Sequence, residues 1–394
     1  MKGGYRKSAS PAGVRPGDKT KRILRSPVRL LAFGSAVAIL SLVGTAFPPN
    51  DVQVISLTYS ALTSPHRQFC GQPYKVPKPL APQRVVHDPH SKGIRALAFC
   101  PNGSFLTAAD GNGHLYVWSM ATRTIVTNLQ DPASKGVTAV AYRPRTSVVA
   151  TGDANGSVYL WQAGSRKAPR RLRDPASKGV RALAFSPGGR FLAVADGNGR
   201  TFIWSMRRDQ IIVTLRVGQQ RGVNSVTFGA GGKAIAIGNA NGSADVWSLS
   251  GNLRARLETT LHDPRSKGVA AVAFVPRTAA IATADANGSA FLWPASGTRP
   301  RILTNPQTEG IAAEKFTPNG NFLATADADG HLFFWGLTTD RVVEFLPVRG
   351  SGALRAVALN PGTHRIAAGD AKGAIYIADT TRIGIHVALR GAGG

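Results

Sequence analysis

Cysteine is scarce in this sequence, with two residues among 394. Cys70 lies in a proline-containing stretch, and Cys100 lies near the start of a long repeated region. At most one disulfide bridge can therefore form, and an oxidising compartment would permit it. We favour two free thiols, and the sequence alone leaves both states open.

The sequence also lacks the short motifs that identify common enzymes. It contains no H-E-x-x-H zinc motif, no G-x-S-x-G nucleophile motif and no Walker phosphate loop. Its eight histidines do not cluster at the spacing of metal ligands. We predict a protein that is not an enzyme and that holds no metal or cofactor, although residues far apart in a chain can also assemble an active site.

Acidic residues are few, with 21 Asp and Glu against 48 Lys and Arg, so the formal net charge is +27. Residues 1–29 hold nine of the basic residues and a single acid, together with many Gly, Ser and Pro residues. A segment of this composition cannot bury enough apolar surface to fold. We predict a disordered basic head over residues 1–29.

Residues 30–47 are predominantly apolar and carry no charge. As a helix they would span about 27 Å, close to the thickness of the hydrocarbon core of a bilayer. We predict a single transmembrane helix, with the basic head in the cytoplasm and the rest of the chain outside, because basic flanks stay on the cytoplasmic side. The alternative is a cleaved signal peptide, which would make the protein secreted.

Residues 48–82 contain seven prolines and are predicted to form a linker. Residues 83–394 repeat a unit whose copies are 43, 43, 43, 46, 42 and 43 residues apart. A period of about 40 to 45 residues with several short strands is typical of propeller blades. The fold prediction is all-β, a seven-bladed β-propeller whose units close on Trp118, Trp161, Trp204, Trp247, Trp293, Trp335 and Ala378.

The third unit shows how one blade is built. Residues 179–185 (GVRALAF) and 190–195 (RFLAVA) predict two strands joined by a tight turn. Residues 200–204 (RTFIW) predict a third strand and residues 210–216 (QIIVTLR) a fourth. Every unit has a glycine five residues before its closing residue, where a hairpin turn requires a positive φ.

The pattern V-x-A-L-A-F-S-P-G-G, then F-L-A, then a turn and x-V-x-L-W resembles WD40 repeats over about residues 84–390. The resemblance implies a propeller that binds other macromolecules. This chain departs from the family at two positions: Asp-Pro replaces the usual Gly-His, and the acidic residue stands eight positions before the closing residue instead of six. These departures call into question the hydrogen bonds that usually join the family's Trp, Ser or Thr, Asp and His.

The ends of the repeated region offer two ways to close a propeller. Residues 81–89 resemble residues 168–175, which predicts a lone fourth strand before the first complete unit. Residues 383–389 (IGIHVAL) could fill the same place. A strand shared between the two ends would remove the open sheet edges.

Two sets of charged residues recur in the units. By the resemblance, the loop that enters each blade and the turn before its third strand lie on the same face. We predict a partner-binding face carrying Lys92, Lys135, Lys178, Arg221, Lys267 and Glu309. The carboxylates of the turns are predicted to be structural, because each turn offers too few oxygens for calcium; they are Asp110, Asp153, Asp196, Asp285, Asp327 and Asp370.

Basic residues also recur on the fourth strands, as in Arg170, Arg171, Arg254 and Arg301. We favour the interpretation that they protect the outer edge from unwanted pairing. Binding of anionic lipid headgroups or acidic envelope polymers is the alternative. Nucleic acid is disfavoured as a partner, because no aromatic residues are interleaved with the basic ones.

These observations lead to one functional hypothesis and one alternative. The protein is predicted to be a non-catalytic scaffold, tethered to the membrane, that binds protein or other macromolecular partners through the loops of its propeller. The alternative is an exported propeller enzyme or a metal-dependent, lectin-like binder.

Overall fold

Short runs of branched and aromatic residues, separated by turn residues, fold each repeat into antiparallel strands. The computed structural model describes residues 84–87, 91–130, 135–163, 165, 167–172, 179–216, 222–250, 254–262, 266–297, 299–304, 308, 310–348, 351–361 and 365–380. The described residues all belong to the unit Lys75–Gly394. The predicted head, transmembrane helix and linker lie outside them, as does Cys70. Within these ranges no helix has the length and apolar character needed to cross a bilayer.

The strands of the described residues are numbered in chain order. They are β1 (Arg84–His87), β2 (Ile94–Phe99), β3 (Phe105–Asp110), β4 (His114–Ser119), β5 (Ile125–Gln130), β6 (Val137–Tyr142), β7 (Val148–Asp153), β8 (Val158–Gln162), β9 (Arg170–Leu172), β10 (Val180–Phe185), β11 (Phe191–Asp196), β12 (Arg200–Ser205), β13 (Gln210–Arg216), β14 (Val223–Phe228), β15 (Ala234–Asn239), β16 (Ser243–Leu249), β17 (Ala255–His262), β18 (Val269–Phe274), β19 (Ile281–Asp285), β20 (Ser289–Trp293), β21 (Arg301–Thr304), β22 (Ile311–Phe316), β23 (Phe322–Asp327), β24 (His331–Gly336), β25 (Arg341–Pro347), β26 (Leu354–Leu359), β27 (Arg365–Asp370) and β28 (Ala374–Asp379).

These strands form seven antiparallel sheets of four strands each, so the predicted seven-bladed propeller is confirmed. In blades one to six the four strands follow one another in chain order, from β2–β5 to β22–β25. The first strands of neighbouring blades contact one another around the axis, which puts the fourth strands at the rim.

The seventh blade takes its outer strand from the other end of the domain. Strand β1 pairs with β28, with Arg84 opposite Ile377 and His87 opposite Ala374. The N-terminal strand therefore occupies the closing position that two segments could have filled. Asn360 also donates from Nδ2 to the carbonyl of Gly103 at 2.9 Å, so the seventh and first blades are joined by a side chain as well.

The hydrophobic core is divided among the gaps between blades. The residues described form seven buried clusters, each built from two neighbouring sheets. One cluster packs Ile94 and Leu97 of β2 against Ala356 and Ile375 of the seventh blade. A sheet with two apolar faces is stable only when both are covered, so closure of the ring buries the faces that the first and last blades would otherwise expose.

A β-bulge interrupts the first strand of every blade at its second residue. In the third blade Val180 pairs with Asp196 and Ala182 pairs with Ala195, so Arg181 is left out of the ladder. A bulge bends the strand and redirects the side chain of the extra residue. The seven skipped residues are Arg95, Thr138, Arg181, Asn224, Ala270, Ala312 and Arg355.

The closing tryptophans lie in the third strands, where five are buried and Trp247 is half-buried. Three of them donate from Nε1 to a threonine ten residues earlier, at 2.8–3.0 Å. In the blades of Trp118, Trp204 and Trp247 that position holds Ala, Val and Ile, and these indole nitrogens have no partner among the described contacts. The indole nitrogen is therefore satisfied by a threonine in three of the six blades that have a closing tryptophan.

Candidate functional site: the loop face and the channel mouth

One backbone hydrogen bond recurs in all seven blades and defines a face of the propeller. The residue after the turn Asp or Asn donates its N–H to the carbonyl of the residue just before the first strand, at 2.9–3.1 Å. In the third blade Gly197 donates to Gly179 in this way. The bond places each entry loop beside the turn before the third strand, and we call this side the loop face.

The turn carboxylates are used inside their own turns. Asp196 Oδ1 accepts from the N–H of Asn198 at 2.9 Å and from that of Arg200 at 2.8 Å. The other five carboxylates accept from the same two positions at 2.7–3.0 Å, and all six residues are buried. Hydrogen bonds to a charged acceptor are stronger than neutral ones, which offsets the cost of burying these carboxylates. In the fourth blade Asn239 stands at the position of the Asp, and its Nδ2 donates to Ser243 Oγ at 3.0 Å and to Asp245 Oδ2 at 3.2 Å.

The glycine of each turn has the conformation that the repeat pattern predicts. Gly199 has φ 81, and the equivalent glycines of the other six blades have φ 87 to 93. Residues with a Cβ rarely adopt this region, so a glycine here is a requirement of the backbone.

The entry-loop cations are only partly described. Lys92, Lys135 and Lys267 are exposed on the loop face, whereas Lys178, Arg221 and Glu309 lie outside the described residues. In the part of the chain that is described, no ion pair joins the three lysines to the six turn carboxylates. The lysine charges therefore face solvent.

The bulges add three arginines to this face. Arg95, Arg181 and Arg355 are exposed and line the central channel, a cavity of about 680 Å³. Each follows a residue that pairs with a turn Asp, so each lies at the loop-face end of its strand. A methyl group placed on Gly111 or Gly136 would come within 3.3 or 3.4 Å of the Arg95 guanidinium.

Sequence reasoning missed these arginines. The signal that could have found them is the second residue of the first strand, which is Arg in blades one, three and seven and Thr, Asn or Ala in the others. We call Arg95, Arg181 and Arg355 the channel mouth.

The sixth blade places two more charges on the first strand. Glu314 is buried at a position where the other blades have Leu or Val, and neither of its carboxylate oxygens has a partner among the described contacts. Burial raises the pKa of Glu314 to about 8, and the charge of Lys315 offsets part of this rise. Lys315 is exposed along the channel, where five of the other blades have Ala and one has Thr.

Asp327, Asp329 and His331 form the one group in the described residues whose ligand atoms lie close enough to hold a metal ion, within 4.8 Å of one another. Asp327 Oδ1 accepts from the N–H of Asp329 and of His331, and Oδ2 lies 3.2 Å from His331 Nδ1. Burial raises the pKa of Asp327. The group offers three ligands, whereas calcium requires six or more oxygens and structural zinc four ligands.

Two of the rim arginines join neighbouring blades. Arg170 pairs with Asp209 of the third blade, and Arg301 Nη1 lies 2.9 Å from Asp340 Oδ1 of the sixth. Arg171 donates to Ser157 Oγ at 2.7 Å and lies over the ring of Tyr159. These residues contribute to contacts within and between blades, while Arg254 and Arg299 are exposed.

Comparison with known families finds three matching segments. Residues 82–119 and 299–336 match the model described as WD domain, G-beta repeat. Residues 140–231 match the model described as Anaphase-promoting complex subunit 4 WD40 domain. No curated protein matches the chain. The two G-beta repeat matches end within one residue of Trp118 and Trp335, where units were expected to close.

Proposed function

The chain belongs to the WD40-repeat propeller family, whose members typically serve as scaffolds for protein interactions, and from this premise we propose that it is a non-catalytic scaffold that binds an acidic protein segment at its channel mouth. The proposal includes a membrane tether. It places the basic head in the cytoplasm, one transmembrane helix at residues 30–47 and the propeller outside.

The observation that carries the proposal is the set of three bulge arginines. Arg95, Arg181 and Arg355 project from different blades around one opening, and their side chains are exposed. Guanidinium groups bind carboxylates through two parallel hydrogen bonds, so an acidic segment can satisfy several of them together. Lys92, Lys135 and Lys267 add positive charge to the same face, which would speed the approach of an acidic partner.

The membrane tether is supported by the sequence alone. A run of 18 residues without a charge follows a head in which basic residues outnumber acids nine to one. Protease added outside intact cells should then cleave the propeller. If cleavage requires lysis of the cells, the proposed orientation is wrong.

The channel mouth can be tested with a glutamate-rich fluorescent peptide and the full-length protein in detergent. The variant Arg95→Gln/Arg181→Gln/Arg355→Gln should bind the peptide at least about tenfold more weakly, because it loses charge-assisted hydrogen bonds. A matched control removes three exposed arginines from turns on the opposite face, Arg123→Gln/Arg145→Gln/Arg277→Gln. Equal weakening in the two variants would show that overall charge, and not the channel mouth, holds the peptide.

A metal-dependent binder is a second candidate, favoured by the cluster of Asp327, Asp329 and His331. Thermal unfolding with and without EDTA distinguishes the two candidates. A lower Tm in EDTA would support a bound metal, and the variant His331→Asn would then remove the difference.

A further inference from the structure

A second cavity lies on the face opposite the loop face, where the second, third and fourth blades adjoin. Its volume is about 580 Å³, and its walls come mainly from the turns β6–β7, β10–β11, β12–β13 and β14–β15. These turns lie at the other end of the strands from the channel mouth, so the cavity is a separate site. We call it the turn cavity.

Five cations and no carboxylate are found among the described residues that line the turn cavity. They belong to three blades, and they are Arg143, Arg190, Arg207, Arg208 and Lys233. Asp209, which follows Arg208 in the sequence, is paired with Arg170 of the second blade. Within the described ranges no ion pair involves any of the five cations.

Two of the five cations are partly held in place by their surroundings. Arg143 donates from Nε to the carbonyl of Gly189 at 2.9 Å, which leaves its two terminal nitrogens available to a ligand. The guanidinium carbon of Arg190 lies 5.9 Å from the centre of the Phe191 ring. Arginines that are already oriented lose less side-chain freedom when they bind an anion.

Two of these cations occupy a position of the repeat at which the other blades have neither Arg nor Lys. The residue just before the second strand is Arg190 in the third blade and Lys233 in the fourth, whereas the other blades have Ser, Ser, Ala, Asn and His there. The repeated structure thus tolerates small or neutral residues at this position. Two adjacent blades nevertheless bring like charges together, which costs energy unless an anion is bound between them.

The turn cavity also offers space and an apolar wall. A methyl group placed on Gly188 or Gly231 would meet no atom within 4 Å, so the two turns leave the entrance open. Phe191, Ile212 and Leu249 line the same cavity. Its volume falls in the range of small-molecule sites, which combine apolar walls with a few polar groups.

We propose that the turn cavity binds a phosphate ester carrying several negative charges, with its phosphates on the five cations and its carbon skeleton against the apolar wall. Arginine binds phosphate oxygens through two hydrogen bonds, and lysine adds a point charge. A ligand with one carboxylate would leave most of the positive charge unmatched. The ester could be a soluble molecule or the headgroup of a phosphorylated lipid.

The test uses the full-length protein in detergent and measures binding by calorimetry. Inositol hexakisphosphate serves as the soluble probe. A short-chain phosphatidylinositol bisphosphate, compared with its free headgroup, serves as the lipid probe. Tighter binding of the short-chain lipid than of the headgroup assigns the site to a lipid, and equal binding assigns it to a soluble ester.

The variants Arg190→Gln/Lys233→Gln and Arg207→Gln/Arg208→Gln should each weaken binding at least about tenfold. The control Arg123→Gln/Arg277→Gln removes the same charge from other turns of this face and should bind as the unchanged protein does. Both control arginines have φ 64, which Gln can adopt as well as Arg. Absence of binding in the unchanged protein, or equal weakening in variants and control, would overturn the proposal.

The Arg95→Gln/Arg181→Gln/Arg355→Gln variant separates this proposal from the channel mouth. It should retain binding of the phosphate ester while it loses binding of the acidic peptide. If it loses both, the esters bind at the channel and the turn cavity is not their site. Unfolding of the cavity variants without ligand should need as much denaturant as before, which confirms that they fold.

Discussion

The seven blades are similar to one another in sequence and hydrogen bonding on one face of the propeller and differ on the other. On the loop face the blades share one backbone hydrogen bond, one glycine of positive φ and, in six cases, one buried Asp. On the opposite face the turns between first and second strands vary, from C-P-N-G-S in the first blade to G-A-G-G-K in the fourth. Positions on which the blades agree hold the fold, whereas positions at which single blades depart carry the candidate sites.

The largest effect is expected where the blades agree. Asp196→Ala should lower the free energy of unfolding by roughly 2–4 kcal/mol, because two buried N–H groups lose a charged acceptor. Denaturation by urea measures the change. Asp196→Asn is the matched control and should cost about 1 kcal/mol, because an amide oxygen can still accept from the two N–H groups although it carries no charge. Equal losses for Ala and Asn would contradict a structural role for the carboxylate.

The second-largest effect is expected at a buried position where the sixth blade has a charged residue and the other blades have Leu or Val. Glu314→Val should raise the free energy of unfolding at pH 8 by roughly 1–3 kcal/mol, because an unpartnered buried carboxyl is removed. The folded pKa of Glu314 is about 8 and its ordinary value is 4.5. The folded chain therefore holds an extra proton between these values, and stability from Glu314 falls as the pH rises through this window.

This prediction is checked by melting the protein at pH 5 and at pH 8. The Tm of Glu314→Val should exceed that of the unchanged protein by more at pH 8 than at pH 5. Glu258 is exposed on the outer strand β17. The control Glu258→Gln should therefore differ from the unchanged protein by the same Tm at both pH values. A constant difference between Glu314→Val and the unchanged protein would mean that Glu314 ionises normally in the folded state.

A third, smaller effect compares blades that bond their tryptophan with blades that do not. Thr325→Val should destabilise the sixth blade by about 1–2 kcal/mol, because the buried Nε1–H of Trp335 loses its acceptor. Val194→Thr offers the same acceptor to Trp204 in the third blade and should stabilise the protein by less than about 1 kcal/mol. Urea denaturation of both variants measures the difference, and changes of the opposite signs would disprove the role of the bond.

The smallest effect is expected at the rim. Arg301→Gln should change the free energy of unfolding by less than about 1 kcal/mol, because its pairing with Asp340 is exposed. A double-mutant cycle with Asp340→Asn, at low and high salt, isolates the pair. A coupling that is large or independent of salt would mean that the rim ion pairs hold neighbouring blades together.

Much of the fold could be predicted from the spacing of Trp118 and its equivalents, and from the glycines before the third strands. Both are local signals, because a strand must be apolar and a hairpin turn must allow positive φ. The signal at Glu314 was also present in the sequence, as a charged residue where other units have Leu or Val. The effect of Glu314 on stability can be inferred only once that position is known to be buried between two blades.

Other features could not be predicted from the units one at a time. The bulges that turn Arg95, Arg181 and Arg355 toward the channel depend on strand register, which no single strand specifies. The turn cavity collects residues from three blades, and Arg143 and Lys233 are 90 positions apart in the chain. Residues so far apart in the sequence come close together in space only after the blades have packed.

The sequence by itself determined the number of blades, the order of strands within each and the positions of the turns, because hydrophobic alternation and glycine geometry act within a few residues. Tertiary structure alone decided that β1 closes the ring against β28, that three arginines meet at one opening and that five cations line one cavity. Those outcomes depend on how far each sheet rotates against its neighbour to bury both apolar faces, and that rotation is a property of the assembled ring.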